Sequence, residues 1–402
     1  SRFSVVRTGA ADLDLLAAGN LSMESLYGVY TAGSSSTGTS ANDPYNLPRA
    51  LGENAKVLGN SVGGNEKLVN GGADSVYRAW YPEAGGNLSL KVGGNLTGNI
   101  TSPSLSASGR PVRNDRGQDS ANVGNWLWRQ GNGLSGSAAQ ATAWWINFGT
   151  YASNLALAGG ADQMVGFTGF GTLGGGNLNV DVGGDAGIIR PLAAGYVPQA
   201  VNLRSQGLVL AVGSTGRVAA DGSLQLTGGG DLSLRVGGAV NPGSQITQDH
   251  LNGTLVNLRG HVQLTGGALG SLTLRYGSRV IDQSPGEVRA YDPLRATSAA
   301  AAGGMSLLPG DATFNLATRG DLVLQDVADP GRVAQTNALA YVNDGVNGVG
   351  QSWFSLWTRN TAVDLFSAGG NLTPLTQTLE TDMAAVYPVT LRAVAASGSL
   401  YY

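Results

Sequence analysis

A short glycine-rich motif recurs along the chain and constrains its fold more than any other feature. The motif is Gly, then Asn or Asp (Ser in one weaker copy), then Leu, a polar or small residue and an aliphatic residue. Its clearer and weaker copies begin at Gly19, Gly86, Gly176, Gly230, Gly270, Gly320 and Gly370. Self-similarity of this kind is typical of repeat architectures, in which each unit buries its apolar face against the next unit.

Two periods are visible within the copies. Apolar and polar residues alternate in Leu88-Ser89-Leu90-Lys91-Val92, which is the period of a half-buried strand. Glycines also recur in eight-residue steps, from Gly86 to Gly94, Gly176 to Gly184, Gly222 to Gly230 and Gly230 to Gly238. We interpret each step as five residues of strand and three of turn, and three such sides predict a repeat of about 20–25 residues.

The alternation predicts which side chains point into the core. Those expected to face inwards are Leu88, Leu90, Val92, Leu178, Val180, Val182, Leu232, Leu234 and Val236. Those expected to face solvent are Ser89, Lys91, Asn179, Asp181, Ser233 and Arg235. At the corners, we expect Gly to supply a positive φ and stacked Asn side chains to form hydrogen-bonded ladders.

Two other all-β folds are weighed against this β-solenoid. A β-propeller needs blades of about 40–50 residues, and the later copies have that spacing, but the eight-residue glycine step favours short sides. A β-sandwich needs hairpin turns between matched strands. Turn pairs of the Asn-Gly or Asp-Gly type are present at Asp221-Gly222, Asn252-Gly253, Asp344-Gly345 and Asn347-Gly348, yet few of them lie between matched strands. The sequence therefore predicts one continuous β-solenoid over residues 1–402, with loop excursions at about 34–72, 102–171 and 281–309.

Composition removes several classes of function. Charged residues are 13 % of the chain, the formal net charge is −3 and there is no basic run, so nucleic acid is not an expected partner. The chain has no Cys, which excludes disulfides and thiol catalysis and suits a protein that crosses a periplasm unfolded. We expect no metal and no cofactor.

Three further blocks strengthen the Gly-Asn-Leu pattern into a resemblance. They are residues 142–151 (TAWWINFGTY), 362–374 (AVDLFSAGGNLTP) and 387–398 (YPVTLRAVAASG). In these blocks the chain resembles the filamentous haemagglutinin family of very large bacterial exoproteins. The resemblance implies a right-handed parallel β-helix, export through an outer-membrane two-partner-secretion transporter, a secreted or cell-surface location, and roles in adhesion, aggregation or biofilm. It implies no catalytic residues.

The alternative is a β-helical enzyme that acts on polysaccharides, or a carbohydrate-binding module. Such an enzyme needs a cluster of carboxylates, Lys, Arg or His on one face. The chain has two His, His250 and His261, and its best carboxylate cluster is Asp282, Glu287 and Asp292. We interpret that cluster as a salt-bridged surface loop, and we expect the chain not to be an enzyme.

Aromatic residues are the sequence's best candidates for recognition. The possible aromatic recognition surface comprises Trp126, Trp128, Trp144, Trp145, Tyr151, Trp353 and Trp357. The competing interpretation is that these side chains form small satellite cores that pin excursions to the rod. We favour the interpretation of these side chains as anchors. The alternative is an exposed surface on which host or bacterial glycans, or a partner protein, stack.

The ends of the chain do not look like solenoid caps, since both run directly into strand-like sequence. We therefore expect the β-helix to continue into further coils at both ends of a longer protein. The rod formed by this chain is expected to be on the order of 50–60 Å long, at about 4.8 Å for each coil.

Overall fold

The fold is taken from a computed structural model. The residues that it describes are 6–23, 28–34, 83–97, 100–101, 104–105, 111–112, 127–130, 143–146, 150–153, 162–165, 167, 169–187, 204–219, 221–242, 250–251, 253–270, 273–276, 279–282, 305–331, 355–374 and 388–401.

Every helix or strand among the described residues is a β-strand. The first sixteen are β1 Val6–Thr8, β2 Leu13–Ala17, β3 Leu21–Ser22, β4 Val29–Thr31, β5 Leu88–Val92, β6 Leu96–Thr97, β7 Ile100–Thr101, β8 Ser104–Leu105, β9 Pro111–Val112, β10 Leu127–Gln130, β11 Ala143–Ile146, β12 Thr150–Ser153, β13 Asp162–Val165, β14 Phe170–Thr172, β15 Leu178–Val182 and β16 Ala186–Gly187. The others are β17 Arg204–Gln206, β18 Val209–Val212, β19 Ser214–Val218, β20 Leu224–Gly228, β21 Leu232–Val236, β22 Ala239–Val240, β23 His250–Leu251, β24 Gly253–Gly266, β25 Ala268–Leu269, β26 Thr273–Tyr276, β27 Arg279–Asp282, β28 Met305–Thr318, β29 Leu322–Val327, β30 Ala362–Ser367, β31 Leu372–Thr373 and β32 Thr390–Ala395.

Nineteen of these strands form one sheet whose pairings are all parallel, and they fall into three ladders. Ladder 1 contains β1, β4, β14, β18, the first halves of β24 and β28, and the end of β29. Ladder 2 contains β2, β5, β15, β21, the second halves of β24 and β28, β30 and β32. Ladder 3 contains β3, β6, β16, β22, β25, the start of β29 and β31.

The chain passes through the ladders in the order 1, 2, 3 and then returns to ladder 1, and we call one such pass a repeat. Val6 pairs with Val29, 23 residues later, so the first repeat has the predicted length. Among the described residues, eight repeats contribute a strand to ladder 2. An all-strand chain with this parallel pairing is consistent with a β-solenoid, whereas propeller blades and sandwiches are antiparallel.

The core lies between the three ladders and is built from the predicted inward residues. Leu88, Leu178 and Leu232, which pair with one another across three repeats, are at most 1 % exposed. All nine predicted inward residues are buried, whereas Lys91 and Arg235 are exposed. The strand register predicted for β5, β15 and β21 is therefore confirmed.

Asn and Asp side chains at the corners join each repeat to the next. At the corner between ladders 1 and 2, the Asn177 N–H donates to Asn87 Oδ1 over 2.8 Å, and the Asp231 N–H donates to Asn177 Oδ1 over 2.9 Å. The same bond joins Asp12 to Asn87 and Asp231 to His261. A second row follows the corner between ladders 2 and 3. The expected ladders are present, but in each bond a backbone N–H donates to a side-chain oxygen of the neighbouring repeat.

The paired glycines of the second corner are explained by close stacking, which corrects the expectation of a positive φ. Gly183 and Gly184 do not have a positive φ, although Gly176 at the first corner does, at 103°. A Cβ on Gly183 would overlap the carbonyl oxygen of Gly93, and one on Gly184 would overlap Asn95 Oδ1. Glycine is required there because the preceding repeat leaves no space for a side chain.

One of the four eight-residue steps was assigned wrongly. The segment from Gly222 to Gly230 contains β20, which lies outside the ladders and pairs antiparallel with β19. Asp221 and Gly222 form the turn of this hairpin, with Gly222 at a φ of 81°. The glycine spacing alone does not distinguish a ladder strand from a hairpin strand, because both have the same length and alternation.

The excursions contain more residues than the predicted rod length assumed. Asn87 and Asn177 are neighbours in one corner row yet lie 90 residues apart in sequence. The eight strands of ladder 2 therefore stack over about 34 Å, at about 4.8 Å for each step, which is shorter than the predicted 50–60 Å. Ladder strands begin at Phe170 and Met305, just inside the predicted limits of the second and third excursions.

Candidate functional site

The outward side of ladder 2 carries two rows of side chains that the pairing register brings into line. The row nearer the first corner runs Asp14, Ser89, Asn179, Ser233, Gln263, Asn315, Asp364 and Arg392. The row nearer the second corner runs Leu16, Lys91, Asp181, Arg235, Thr265, Ala317, Phe366 and Val394. Polar side chains dominate the first row, whereas charged, small and apolar side chains follow one another in the second.

A groove of about 530 Å³ lies along the second row and the adjoining corner. Its lining comes from repeats 3 to 7 and comprises Asp181, Val182, Gly183, Arg235, Val236, Gly237, Thr265, Gly266, Ala317, Thr318, Arg319, Phe366 and Ala368. The short side chains of Thr265 and Ala317 lie between Arg235 and Phe366 in the row. The groove is therefore a gap in a line of longer side chains.

Two guanidinium groups reach this groove from repeats that are two steps apart. Arg235 lies on β21 and is exposed, while Arg319 lies at the corner after β28 and is also exposed. Arg319 Nη2 donates a hydrogen bond to the carbonyl oxygen of Gly237, which fixes the side chain along the corner. Guanidinium groups present several N–H donors in one plane and suit carboxylate recognition.

One acidic and one aromatic side chain complete the groove. Asp181 lies between Lys91 and Arg235 in the pairing register, so a basic residue flanks it on each side. Phe366, in repeat 7, is 40 % exposed although the alternate positions of its strand are buried. The lining therefore has two positive charges, one negative charge and one exposed aromatic ring.

Of the predicted aromatic recognition surface, the structure describes the side chains of Trp144 and Trp357 alone. Trp144 is 8 % exposed and packs in a second core with Leu127 and Ile146, against the outward side of ladder 1. Its ring lies so close to Gly216 of β19 that a Cβ there would overlap it. The burial of Trp144 is what an anchor requires, because the ring packs in the second core and does not face solvent.

Trp357 is half-buried, and its indole N–H is enclosed without a hydrogen-bond partner among the described residues. Trp128, Trp145 and Tyr151 lie on β10, β11 and β12, but their side chains are outside the description. Trp126 and Trp353 lie outside the described residues altogether. For these six residues, the recognition hypothesis stays a prediction.

Among the histidines and carboxylates weighed for catalysis, the structure describes the side chain of His261 alone. His261 takes a place in the corner row, where its ring Nδ1 is 2.6 Å from Thr313 Oγ1. His250 and Asp282 lie on β23 and β27 without described side chains, and Glu287 and Asp292 are not described. Among the described residues, no three His, Asp or Glu side chains are grouped to hold a metal ion.

Sequence reasoning placed Arg235 on the surface but did not identify the groove. Its residues come from repeats separated by excursions of unequal length, so the alignment of Arg235 with Phe366 depends on a register that the sequence does not display. The available signal was the Gly-Asn-Leu motif, which aligns Arg235 with Asp181 and Lys91.

The comparisons add no relative: no protein-family model, curated protein or solved structure matches the chain. No helix in the described residues is long and apolar enough to span a membrane.

Proposed function

We propose that the chain is a right-handed parallel β-helix segment of a secreted exoprotein of the filamentous haemagglutinin type. It acts as a structural and adhesive rod at the bacterial surface, in adhesion, aggregation or biofilm formation. The observation that carries the proposal is the eight-strand parallel ladder with an uncovered polar side. A stack of this kind adds surface with every repeat and needs no reaction centre.

The corner rows support a role as a rigid support. Each Asn or Asp oxygen accepts a backbone N–H from the next repeat, over 2.7 to 3.0 Å, so neighbouring repeats are joined by side-chain as well as sheet hydrogen bonds. Because corner glycines occupy the spaces between these bonds, the repeats approach closely. Repeated short-range contacts of this kind give a stiff, extended body.

Export through an outer-membrane two-partner-secretion transporter is part of the same proposal. It is supported by the resemblance of residues 142–151, 362–374 and 387–398, and by the absence of Cys from the chain. A chain without thiols crosses an oxidising periplasm without forming disulfides.

The test uses the bacterium that encodes the chain. Antibodies against the purified chain are applied to intact cells, to culture medium and to lysed cells, and the gene is deleted in a matched strain. We expect antibody binding on intact cells or in medium, and loss of surface attachment or aggregation after deletion. Antigen confined to the cell interior, or unchanged attachment after deletion, contradicts the proposal.

A carbohydrate-binding module is the second candidate, because the groove on ladder 2 combines guanidinium groups with an exposed aromatic ring. A carbohydrate-binding module binds its ligand without catalysing a reaction. Incubation of the purified chain with pectin, alginate or hyaluronan is expected to release neither unsaturated nor reducing ends. Release of such ends that is lost on substitution of Asp282 or Asp292 would establish the enzyme instead.

A further inference from the structure

We propose that the groove formed by Arg235, Arg319 and Phe366 binds a chain of uronic acid residues through its carboxylates. The ligand lies along the stacking direction, with carboxylates at the two guanidinium groups and the apolar side of a sugar ring on Phe366. This inference deepens the proposed adhesive role by naming a ligand class, and it rests on that role only for its biological meaning.

The charge in the groove selects an anion. Arg235 and Arg319 both line it, and Asp181 is the one acidic side chain in the lining. Asp181 already has Lys91 beside it in the register, on the side away from the groove centre. The two guanidinium groups are therefore not balanced by the single carboxylate. Because Arg donates two parallel hydrogen bonds to a carboxylate, it favours carboxylate ligands geometrically as well as electrostatically.

The groove suits an extended ligand. Arg319 belongs to repeat 6, but its hydrogen bond to the Gly237 carbonyl oxygen brings its guanidinium group to repeat 4, the repeat of Arg235. The short side chains between Arg235 and Phe366 in the row leave the surface open there. A ligand that lies along the stacking direction can therefore reach both guanidinium groups and Phe366, which is three repeats, or about 14 Å, from Arg235.

Phe366 and the neighbouring polar row identify the ligand as a saccharide. Phe366 offers an exposed ring at the end of the groove, and an aromatic ring packs well against the apolar side of a sugar. Beside the groove, Asn179, Ser233, Gln263 and Asn315 carry amides and hydroxyls on the outward side of ladder 2. Such groups both donate and accept hydrogen bonds, as the hydroxyls of a sugar require.

Asp181 provides a variant that tests whether the ligand is an anion. Its carboxylate lies next to Arg235 in the register and repels a bound anion at that end of the groove. Asp181→Asn removes the repulsion while keeping the size of the side chain, so it is expected to tighten binding severalfold. A groove that binds neutral sugars, or none, has no reason to gain affinity from this change.

Binding is measured by calorimetry with purified chain and defined oligosaccharides. The probe is an oligogalacturonate of about eight residues, and the neutral probe is its fully methyl-esterified counterpart. A sulfated dextran oligosaccharide of matched length separates carboxylate recognition from general attraction of polyanions. We expect binding of the oligogalacturonate to weaken as salt is raised, at least tenfold weaker binding of the ester, and weaker binding of the sulfated probe.

Matched variants locate the site. Arg235→Gln is expected to weaken oligogalacturonate binding by about tenfold, because it removes charge-assisted hydrogen bonds. Arg392→Gln removes the same charge from ladder 2 outside the groove, where the Arg pairs with Asp364, and is expected to change binding less than twofold. Phe366→Ala is expected to weaken binding at least threefold, and its control Leu16→Ala, exposed in the same row, is expected to leave binding unchanged.

Each result bears on the proposal. Preferential binding of oligogalacturonate that Arg235→Gln weakens and Asp181→Asn strengthens supports it. Equal binding of the methyl ester, stronger binding of the sulfated probe, equal effects of Arg235→Gln and Arg392→Gln, or no binding of any probe overturns it. Failure here leaves the rod and its surface location untouched, because antibody binding to intact cells and attachment of the deletion strain are measured without any of these probes.

Discussion

Ladders 1 and 2 enclose the same core, but their outward sides differ. In ladder 2, inward and outward positions alternate in burial, as in β21, where Leu232, Leu234 and Val236 are buried and Arg235 is exposed. In ladder 1, all four residues of β18 are buried. The outward residues of ladder 1 pack in a second core under β10, β11 and the β19–β20 hairpin. Ladder 2 has no such cover among the described residues.

The difference comes from the inserted segments. Segments inserted between ladder strands pack on ladder 1 and bury its apolar outward residues, such as Val209 and Val256. Ladder 2 keeps one outward row of polar and charged residues and a second row of charged, small and apolar residues in contact with solvent. The inserted segments therefore cover one side of the core and leave the other side exposed.

The largest expected effect is the removal of the ring that joins the outer layer to ladder 1. Trp144→Ala takes away a buried indole that rests on Gly216, and is expected to lower the free energy of unfolding by about 3–5 kcal/mol. Leu16→Ala, at a side chain 79 % exposed on ladder 2, is expected to change it by less than about 0.5 kcal/mol. Urea unfolding followed by circular dichroism measures both. Equal effects would mean that the two sides are not covered differently.

A smaller loss of stability is expected where a corner glycine packs tightly against the neighbouring repeat. Gly184→Ala places a methyl group on Asn95 Oδ1 and is expected to cost about 1–3 kcal/mol as an overpacked contact. Gly19 occupies the same corner position in the first repeat, but a Cβ on it would meet nothing within 4 Å. Gly19→Ala is therefore expected to be neutral or slightly stabilising. A similar loss in both variants would show that backbone conformation, and not stacking, selects glycine.

Each hydrogen bond of the corner rows is expected to contribute less to the free energy of unfolding than these packing contacts. Asn95→Ala removes the acceptor of the Asp185 N–H, now 2.9 Å from Asn95 Oδ1, and is expected to cost about 0.5–1.5 kcal/mol. Asn179→Ala, which lies on the outward side of ladder 2 away from the corners, is the control and is expected to cost less than about 0.5 kcal/mol. Thermal unfolding of both variants in parallel checks the order, and a reversed order would remove the corner rows from the account of stability.

The smallest effect concerns the turn of the β19–β20 hairpin. Hydrogen bonds from the Ser223 hydroxyl and backbone N–H hold the pKa of Asp221 below its ordinary value of 3.8. A lowered folded-state pKa contributes stability above the ordinary value, and this stability is lost as the pH falls through the folded-state pKa. Asp221→Ala is therefore expected to destabilise slightly at pH 7 and to approach the parent chain at pH 2. A gap between the two unfolding curves that does not narrow at low pH contradicts this assignment.

The sequence predicted ladder 2 better than ladder 1, and the reason is physical. A strand with one solvated side alternates, so the orientation of Leu234 and Arg235 follows from period two. A strand covered on both sides does not alternate, and Val209-Leu210-Ala211-Val212 is a continuous apolar run whose inward and outward residues cannot be assigned from the sequence. The outer layer was therefore not predicted.

The groove was not predictable for a different reason. Its position depends on which residue of one repeat lies beside which residue of the next, and Asn177 and Asp231 in adjacent repeats are 54 residues apart. The motif aligns Lys91, Asp181 and Arg235, because their strands share the same residues at the same spacing. The motif does not extend to the ladder 2 strands of β28 and β30, because no paired glycines precede them. The sequence therefore does not indicate that Phe366 belongs to the same row.

Thiol labelling tests the central claim, that ladder 1 is covered and ladder 2 is open. Because the chain has no Cys, single substitutions place one thiol at a time: Ser233→Cys and Gln263→Cys on ladder 2, and Val209→Cys and Val256→Cys on ladder 1. In the folded chain, the ladder 2 thiols are expected to react with a maleimide at nearly the rate of the urea-unfolded chain, and the ladder 1 thiols at least a hundredfold more slowly. Similar folded-state rates at all four positions would contradict the account.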